Sequence, residues 1–231
     1  MKKSNKVLLI AFLSFLLIIT AVHLSLSAKY KKGQFTTDIA DKLGIIDTAF
    51  AGVQHVVLKD LGNVNLGVSN TASVGRKDKE DEDYTVMQKG TTLYVTGKDF
   101  VGHQTRSRTA LWITIPSGGS VSATNVLMDT EQDKTVANAS MNVTLNNAHL
   151  HIKQYQKRLT YDSVSVTALD GSSLVLNNTE IRSLNLRLHK STLAESGNTF
   201  GSLGLAVDTA SEISLTAPHL IKAKITSANH D

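Results

Sequence analysis

Two histidines in the stretch AHLHI, His149 and His151, are spaced so that both side chains leave a β-strand on the same side, as two metal ligands on a strand would. A zinc site needs further donors, and no other His, Asp or Glu lies beside them in the sequence, so no metal is expected. The other concentration of ligating atoms is RKDKEDED, from Arg76 to Asp83. Calcium loops need alternating Asx positions, a turn glycine and a bidentate Glu at a fixed offset. None of that spacing is present, and the run reads as a solvated turn between strands. The chain has no cysteine. A disulfide framework, a thiolate zinc site, a thiol nucleophile and a lipid-modified N-terminal cysteine are therefore all excluded.

The elements that would carry such residues are strands of period two. VQHVVL, NVNLGV, YTVMQ, TLYVTG, ALWITIP, SVSATNVLM, MNVTLNN and HLHIKQ are strand-length and separated by Gly, Asn, Asp or Ser clusters, with no helix evident after residue 50. Further on, SVSVTALDGSSLVL, SLNLRLHKSTL and SLGLAVDTASEISL repeat one figure. Val164, Leu184 and Leu203 open it at intervals of 20 and 19 residues. Val166, Leu186 and Leu205 come next, followed by Ala168, Leu188 and Val207, and a second strand opens with Leu174, Leu193 and Ile213. A constant period marks a solenoid, in which stacked turns bury what one turn cannot, whereas a β-sandwich has no reason to keep one. The expected fold is thus all-β, a single-stranded β-helix. MNVTLNNAHLHI and LIKAKI read as degenerate turns of it. One position breaks the pattern: Glu195 falls near where Leu176 and Leu215 point inward, so this strand either ends early or contains a bulge, and the Ser196-Gly197-Asn198 that follows favours the early end.

The repeat also ranks the outward positions. They form the columns Ser165, Asn185, Gly204, then Thr167, Arg187, Ala206, then Leu169, His189, Asp208. Glycan cleavage on a β-helix would need paired carboxylates, or a carboxylate and a metal beside a basic group, on adjacent columns. No such pair appears, so no catalytic residue and no cofactor are assigned, and the ligand-binding residues stay unassigned. Asp170 and Lys190 share a turn column and are expected to form a surface ion pair worth at most about 1 kcal/mol. Trp112 faces away from Leu111 and Ile113 and is read as packing under a loop rather than stacking on a sugar. Asn138, Asn142 and Asn177 begin N-x-S/T sequons. Asp47-Thr48-Ala49, Asp162-Ser163-Val164 and Asp208-Thr209-Ala210 resemble the acceptor triplet of bacterial envelope O-glycosylation.

The N-terminus sets the address. Lys2, Lys3 and Lys6 precede an apolar run from Val7 to Leu26, and Lys29, Lys31 and Lys32 follow it. As a helix the run would be about 30 Å long, enough to cross the hydrocarbon core. It is longer than the apolar region of a cleaved signal peptide and lacks the polar face of a buried amphipathic helix, which favours an uncleaved transmembrane signal anchor. The expected organisation is a cytoplasmic basic tail at 1–6, the anchor at 7–27, a linker at 28–48 with a short helix near Thr37 to Leu43, a solenoid ectodomain at 49–227 and a tail at 228–231. Six of the 24 Lys and Arg lie in residues 1–32, where there is no acid, leaving 18 basic and 20 acidic residues beyond. The rest of the chain is net −2, so the formal +4 of the whole does not signal nucleic-acid binding.

The frame FAGVQHVVL, VNLGVSN, YTVMQKGTTLYVTG and ALWITIPSGGSVSATN, followed by S-L-x-L repeats, resembles the head GIN domain proteins of the auto-transporter adhesin type, over Asp47 to Ile225. The anchor followed by AKYKKGQF looks like membrane-tethered envelope proteins of Gram-negative bacteria. The resemblance implies a right-handed β-helix and an adhesive role, although the outer columns here are poorer in Gly and Asn than a regular member's. The function expected is a non-enzymatic structural or binding module in the periplasm or extracytoplasmic space, held at the membrane by Val7 to Leu26, with a glycan or an envelope protein as partner. The alternatives are a carbohydrate-active enzyme using residues 50–150, where the repeat is not visible, and an envelope sensor subunit.

Overall fold

The computed structural model describes residues 45–77, 84–97, 111–130, 135–153 and 159–227, together with eight helical positions between Phe12 and His23. The chain divides into two compact units, Met1–Leu43 and Gly44–Asp231. Most of the expected anchor, and the helix expected near Thr37 to Leu43, lie outside the described residues. Among those described, no helix is long and apolar enough to cross a membrane.

The second unit is built of strands from its first described residues. β1 (Ile45–Phe50) begins inside the stretch expected to be linker. β2 (His55–Lys59) and β3 (Asn63–Ser69) form a first coil, and β4 (Ala72–Lys77) and β5 (Tyr84–Lys89) follow it. β6 (Thr92–Gly97) and β7 (Leu111–Pro116) form the next coil, then β8 (Ser120–Thr124) and β9 (Leu127–Thr130). About four regular turns complete the stack. They are β10 (Ala139–Asn146) with β11 (His149–Lys153), β12 (Leu159–Leu169) with β13 (Ser173–Asn177), β14 (Thr179–Leu188) with β15 (Thr192–Ser196), and β16 (Thr199–Val207) with β17 (Glu212–Ser214). A short helix α1 (Ala217–Lys222) and β18 (Lys224–Ser227) close the chain. The six-residue α1 corrects the expectation of no helix, and it takes the first half of LIKAKI out of the repeat.

Each coil gives one strand to each of two sheets, ordered β1-β4-β7-β3-β9-β11-β13-β15-β17 and β18-β16-β14-β12-β10-β8-β2-β6-β5. Between coils all pairing is parallel; only β1–β4, β4–β7 and β5–β6, at one end, are antiparallel. The fold is therefore a two-sheet β-solenoid. Its early winding is out of order. The coil β2–β3 is flanked by β6–β7 on one side and β8–β9 on the other, so neighbours in sequence are not neighbours in space. That is why residues 50–150 hide the period that residues 163–215 display.

The repeat columns hold in the observed register. Val164 pairs with Leu184 and Leu184 with Leu203, and likewise Val166, Leu186 and Leu205. Traced outward through the second sheet, the latter column runs Leu93, Val56, Val121, Val143, Val166, Leu186, Leu205 and Ile225. All are buried except the last. A second column in the first sheet runs Leu111, Val64, Met128, Leu150, Leu174, Leu193 and Ile213.

Such columns form only if every coil turns at the same place. The corner from the second sheet to the first is made by Asp60, Asn125, Asn147, Asp170 and Lys190, all at positive φ between 46° and 54°. Asn and Asp enter this left-handed region at lower cost than other side-chain-bearing residues. Each of the first four donates its amide to the coil above, from Asp60 to the Thr124 carbonyl through to Asp170 to that of His189. The side chains stack as well: Asn147 Nδ2 donates to Asn125 Oδ1 at 2.8 Å, and Asn125 Nδ2 to Asp60 Oδ1 at 2.7 Å. Lys190 is the exception in type, and its amide is held by Asp208 Oδ2 at 3.1 Å.

Leu186→Asp places a carboxylate in the middle of the long apolar column and is expected to unfold the solenoid, since an unpaired buried charge costs more than the few kcal/mol by which domains are stable. Circular dichroism that retained the β signal and a cooperative melt would refute the column assignment. Asn147→Ala, which puts a poor residue at a left-handed corner and breaks the side-chain ladder, is expected to lower unfolding free energy by about 1–3 kcal/mol in denaturant titration.

Candidate functional site

The outward columns stand as the repeat places them, and the structure shows what each side chain does. On the second sheet His55 Nδ1 lies 2.7 Å from Ser120 Oγ, and on the first His149 Nδ1 lies 2.6 Å from Ser173 Oγ; both histidines pair with the serine directly across in the next coil. Asn185 Nδ2 donates to Ser183 Oγ at 3.4 Å, and Arg187 is exposed with no ion pair among the described residues. Of the residues Asn185, Arg187 and His189 that open this face, His189 is the one in contact with an acid, Asp208.

His149 and His151 do leave their strand on the same side, but they take different partners. His151 faces Asp129, brought alongside by parallel pairing of β11 with β9, at Nδ1 to Oδ1 3.3 Å. Sequence inspection had no way to place Asp129 there, because a residue 22 positions upstream becomes adjacent only through the coil. Lys153 Nζ occupies the same carboxylate oxygen at 2.9 Å, and Asn177 Nδ2 lies 2.9 Å from His151 Nε2. Burial, then the Lys153 ammonium, hold the His151 imidazole below its ordinary pKa against the opposing pull of Asp129. Among the described residues no group of three or more His, Cys, Asp or Glu is placed to hold a metal ion.

The ion pair expected between Asp170 and Lys190 does not form. The charge pairing lies one column over, where His189 Nδ1 meets Asp208 Oδ2 at 2.7 Å. Parallel stacking sets the two turn residues side by side, but Asp208 reaches back to the corner and also accepts from the Lys190 amide. Its other oxygen takes the Ser211 hydroxyl at 2.6 Å and the Ala210 amide at 3.2 Å. The Ser211 bond foremost, against some opposing burial, keeps the Asp208 carboxyl below the usual range, with the Lys190 and Ala210 amides and the His189 charge adding to it. Ser211 donates to the carboxylate and not to the imidazole, so this is a turn clasp rather than a nucleophile and base.

Glu195 is where sequence and structure differ most. β15 does not end early: it runs to Ser196, and Glu195 pairs with Leu176, inside the column. Its side chain is fully buried. The carboxylate survives there because each oxygen is satisfied. Oε2 accepts from Asn198 Nδ2 at 2.9 Å; Oε1 accepts from the Thr216 amide at 2.7 Å and from His219 Nδ1 at 2.9 Å. Asn198 in turn donates to the Leu176 carbonyl and accepts from the Thr179 amide and hydroxyl, so one buried bracket joins three coils and α1. Burial alone would raise the Glu195 pKa, but the Thr216, Asn198 and His219 bonds outweigh it and bring it to about 2. The Thr216 hydroxyl approaches the same His219 nitrogen as the carboxylate, at 3.0 Å. A relay from hydroxyl to imidazole to carboxylate needs opposite ring nitrogens, so the cluster is a clamp for α1.

At the opposite end, where the antiparallel strands lie, β1, β4 and β5 line a cleft of about 380 Å3. Ile46, Phe50, Val74 and Val86 supply its apolar wall, with Arg76 and Tyr84 beside them. Arg76 thus belongs to strand β4, opposite Ile46 of β1, rather than to a solvated turn; residues 78–83 of the acidic run lie outside the described residues. Trp112 is half-buried on the outer side of the first sheet, in register between Asn65 of β3 and Gly75 of β4.

No protein-family model matches the chain, and no curated protein matches it. Among solved structures, the crystal structure of a "putative cell adhesion protein" from Clostridium sporogenes ATCC 15579 is similar over 74% of this chain and 99% of its own, with 7% sequence identity and a TM-score of 0.30.

Because the Glu195 pKa is about 2 when folded and 4.5 ordinarily, its contribution to stability is complete above pH 4.5 and declines as pH falls towards 2. Glu195→Ala leaves the Thr216 amide and Asn198 unpaired and is expected to cost about 2–3 kcal/mol at neutral pH. The gap between wild type and variant should narrow in acid. A gap in denaturant midpoints that stayed constant from neutral pH to pH 3 would remove the clamp assignment.

Proposed function

We propose that the chain is a non-enzymatic envelope module of the head GIN type, a right-handed β-helix that binds or scaffolds rather than catalyses. Residues 7–27 tether it to the membrane, with the solenoid on the outer side of the cytoplasmic membrane. Its partner in this reading is an envelope glycan or an envelope protein. The observation that carries it is the ladder of short polar side chains, Ser, Thr, Asn and His, repeated on the outer faces over a largely apolar core. A rigid, regularly spaced array of donors and acceptors suits an extended polar partner, and acids such as Asp129, Asp162, Glu195 and Asp208 are engaged by lysine, arginine, histidine, amide or hydroxyl partners that link neighbouring coils. The head GIN assignment rests on the residue frame alone.

Membrane fractionation is expected to recover the full-length chain with membranes, and added protease to digest the solenoid only when the outer face of the cytoplasmic membrane is accessible. A shortened soluble product lacking residues 1–28 would overturn the tether. Screening the purified chain against envelope glycans is expected to give binding that Asn185→Ala and Arg187→Ala weaken. Turnover of any glycan in that screen would overturn the non-enzymatic reading.

A further inference from the structure

Outward positions on neighbouring strands fall into rows across the first sheet. One row runs Asp47, Gly75, Trp112, Asn65, Asp129 and His151, a residue from each of β1, β4, β7, β3, β9 and β11, every one in register with the next. Neighbours in such a row stand about 4.8 Å apart. The outer-face histidines His55 and His149 each meet a serine across the coil. The middle of this row is different. Trp112 and Asn65 are half-buried, yet neither side chain makes a hydrogen bond among the described residues. Asp129 gives Oδ1 to both His151 and Lys153, and with its side chain 45% exposed it keeps Oδ2 as an acceptor.

Both flanks of that middle are closed. On one side the Asp47 carboxylate lies over Gly75, in the space a Cβ would take. On the other, His151 is held between Asp129 and Asn177. Between them an indole, a carboxamide and a carboxylate oxygen extend over two strand spacings, about 10 Å, the span of two linked sugar rings. Their chemistry complements a pyranose. The indole face packs on the C–H face of a ring, its N–H donates to a hydroxyl, the carboxamide both donates and accepts, and the carboxylate accepts from a hydroxyl. Sequence alone ranks burial above stacking for Trp112, because only the stacking of coils brings Asn65 and Asp129 into line with it.

We propose that Trp112, Asn65 and Asp129 form a subsite for a neutral pyranose glycan. The inference rests on the binding-module reading and deepens it by naming the ligand class and the face that takes it. Charge along the row selects the neutral chain. A uronate or a phosphorylated sugar meets the carboxylates of Asp129 and Asp47. A cationic side chain could stack on the indole, but the Lys153 ammonium already balances Asp129 and repels a second cation, and Asp47 has a partner of its own.

Trp112 is the only tryptophan of the chain, so its fluorescence reports on the subsite directly. With the full chain, in phospholipid nanodiscs if it fractionates with membranes, cellotriose or maltotriose is expected to shield Trp112 from acrylamide quenching, and trigalacturonate is not. Asn65→Ala, which breaks no hydrogen bond among the described residues, is expected to weaken trisaccharide binding roughly fivefold while the thermal melt stays unchanged. Shielding by neither neutral trisaccharide, equal shielding by trigalacturonate, or shielding indifferent to Asn65→Ala would overturn the subsite. Stronger shielding by tetramethylammonium than by either trisaccharide would overturn it in favour of a cation. Glycan binding that Asn185→Ala or Arg187→Ala weakens while Trp112 stays as open to acrylamide as in the free chain would overturn this inference alone and leave the module reading standing. Cleavage of the bound trisaccharide would overturn both.

Discussion

A parallel coil can bury its apolar side chains only if the next coil bends at the same residue. Everything regular in this molecule follows from that coincidence of corners. Asp60, Asn125, Asn147, Asp170 and Lys190 stand one above another in the left-handed region, where most side chains crowd the following carbonyl. Four of the five are Asn or Asp, the types that tolerate the region best, and two side-chain bonds knit three of them into a ladder. With the corners fixed, strand residues fall into register and alternate residues stack inward along the whole solenoid. Lys190 keeps the bend with the wrong residue type, and its amide is caught by the Asp208 carboxylate from the next coil.

The same economy explains a core that contains a carboxylate. Glu195 replaces a leucine of the inward column at the point where the stack is about to end and α1 must be attached. A leucine there would have buried more apolar surface but offered nothing to the Thr216 amide or to His219. The carboxylate accepts from both and from Asn198, so the cost of burying its charge is offset by bonds to a cation-capable ring, an amide and a side-chain amide. Phe200 packs its ring 4.6 Å from that of His219, closing the clamp on its apolar side. The end is thereby fastened internally while its outermost residue, Ile225, is left at the surface.

The outer surface shows the complementary pattern. Where the inward positions are dictated by stacking, the outward ones are less constrained, and they carry short polar ladders and isolated clasps. The His55–Ser120 and His149–Ser173 pairs repeat one solution on two sheets, a ring nitrogen meeting the hydroxyl of the adjacent coil. The clasps at Asp129 and Asp208 each engage a histidine. Titratable groups that look poised for chemistry in sequence, His55, His149, His151 and Asp208, thus hold neighbouring coils together.

The sequence by itself determined the period, the inward columns of residues 163–215 and the all-β class, because each inward residue must be apolar and each corner must be a turn former. Those are local demands, written one residue at a time. Tertiary structure alone decided which coils are neighbours. The placement of β2–β3 between β6–β7 and β8–β9 depends on pairing across as many as 65 residues of chain, from His55 to Ser120, and the arrival of Asp129 beside His151 and the shift of the ion pair from Lys190 to His189 on stacking across about 20. It also decided Glu195. A lone acid at an apolar position reads as the end of a strand until its partners are seen, and those partners, Thr216 and His219, lie more than 20 residues further on, brought back by one further turn of the coil.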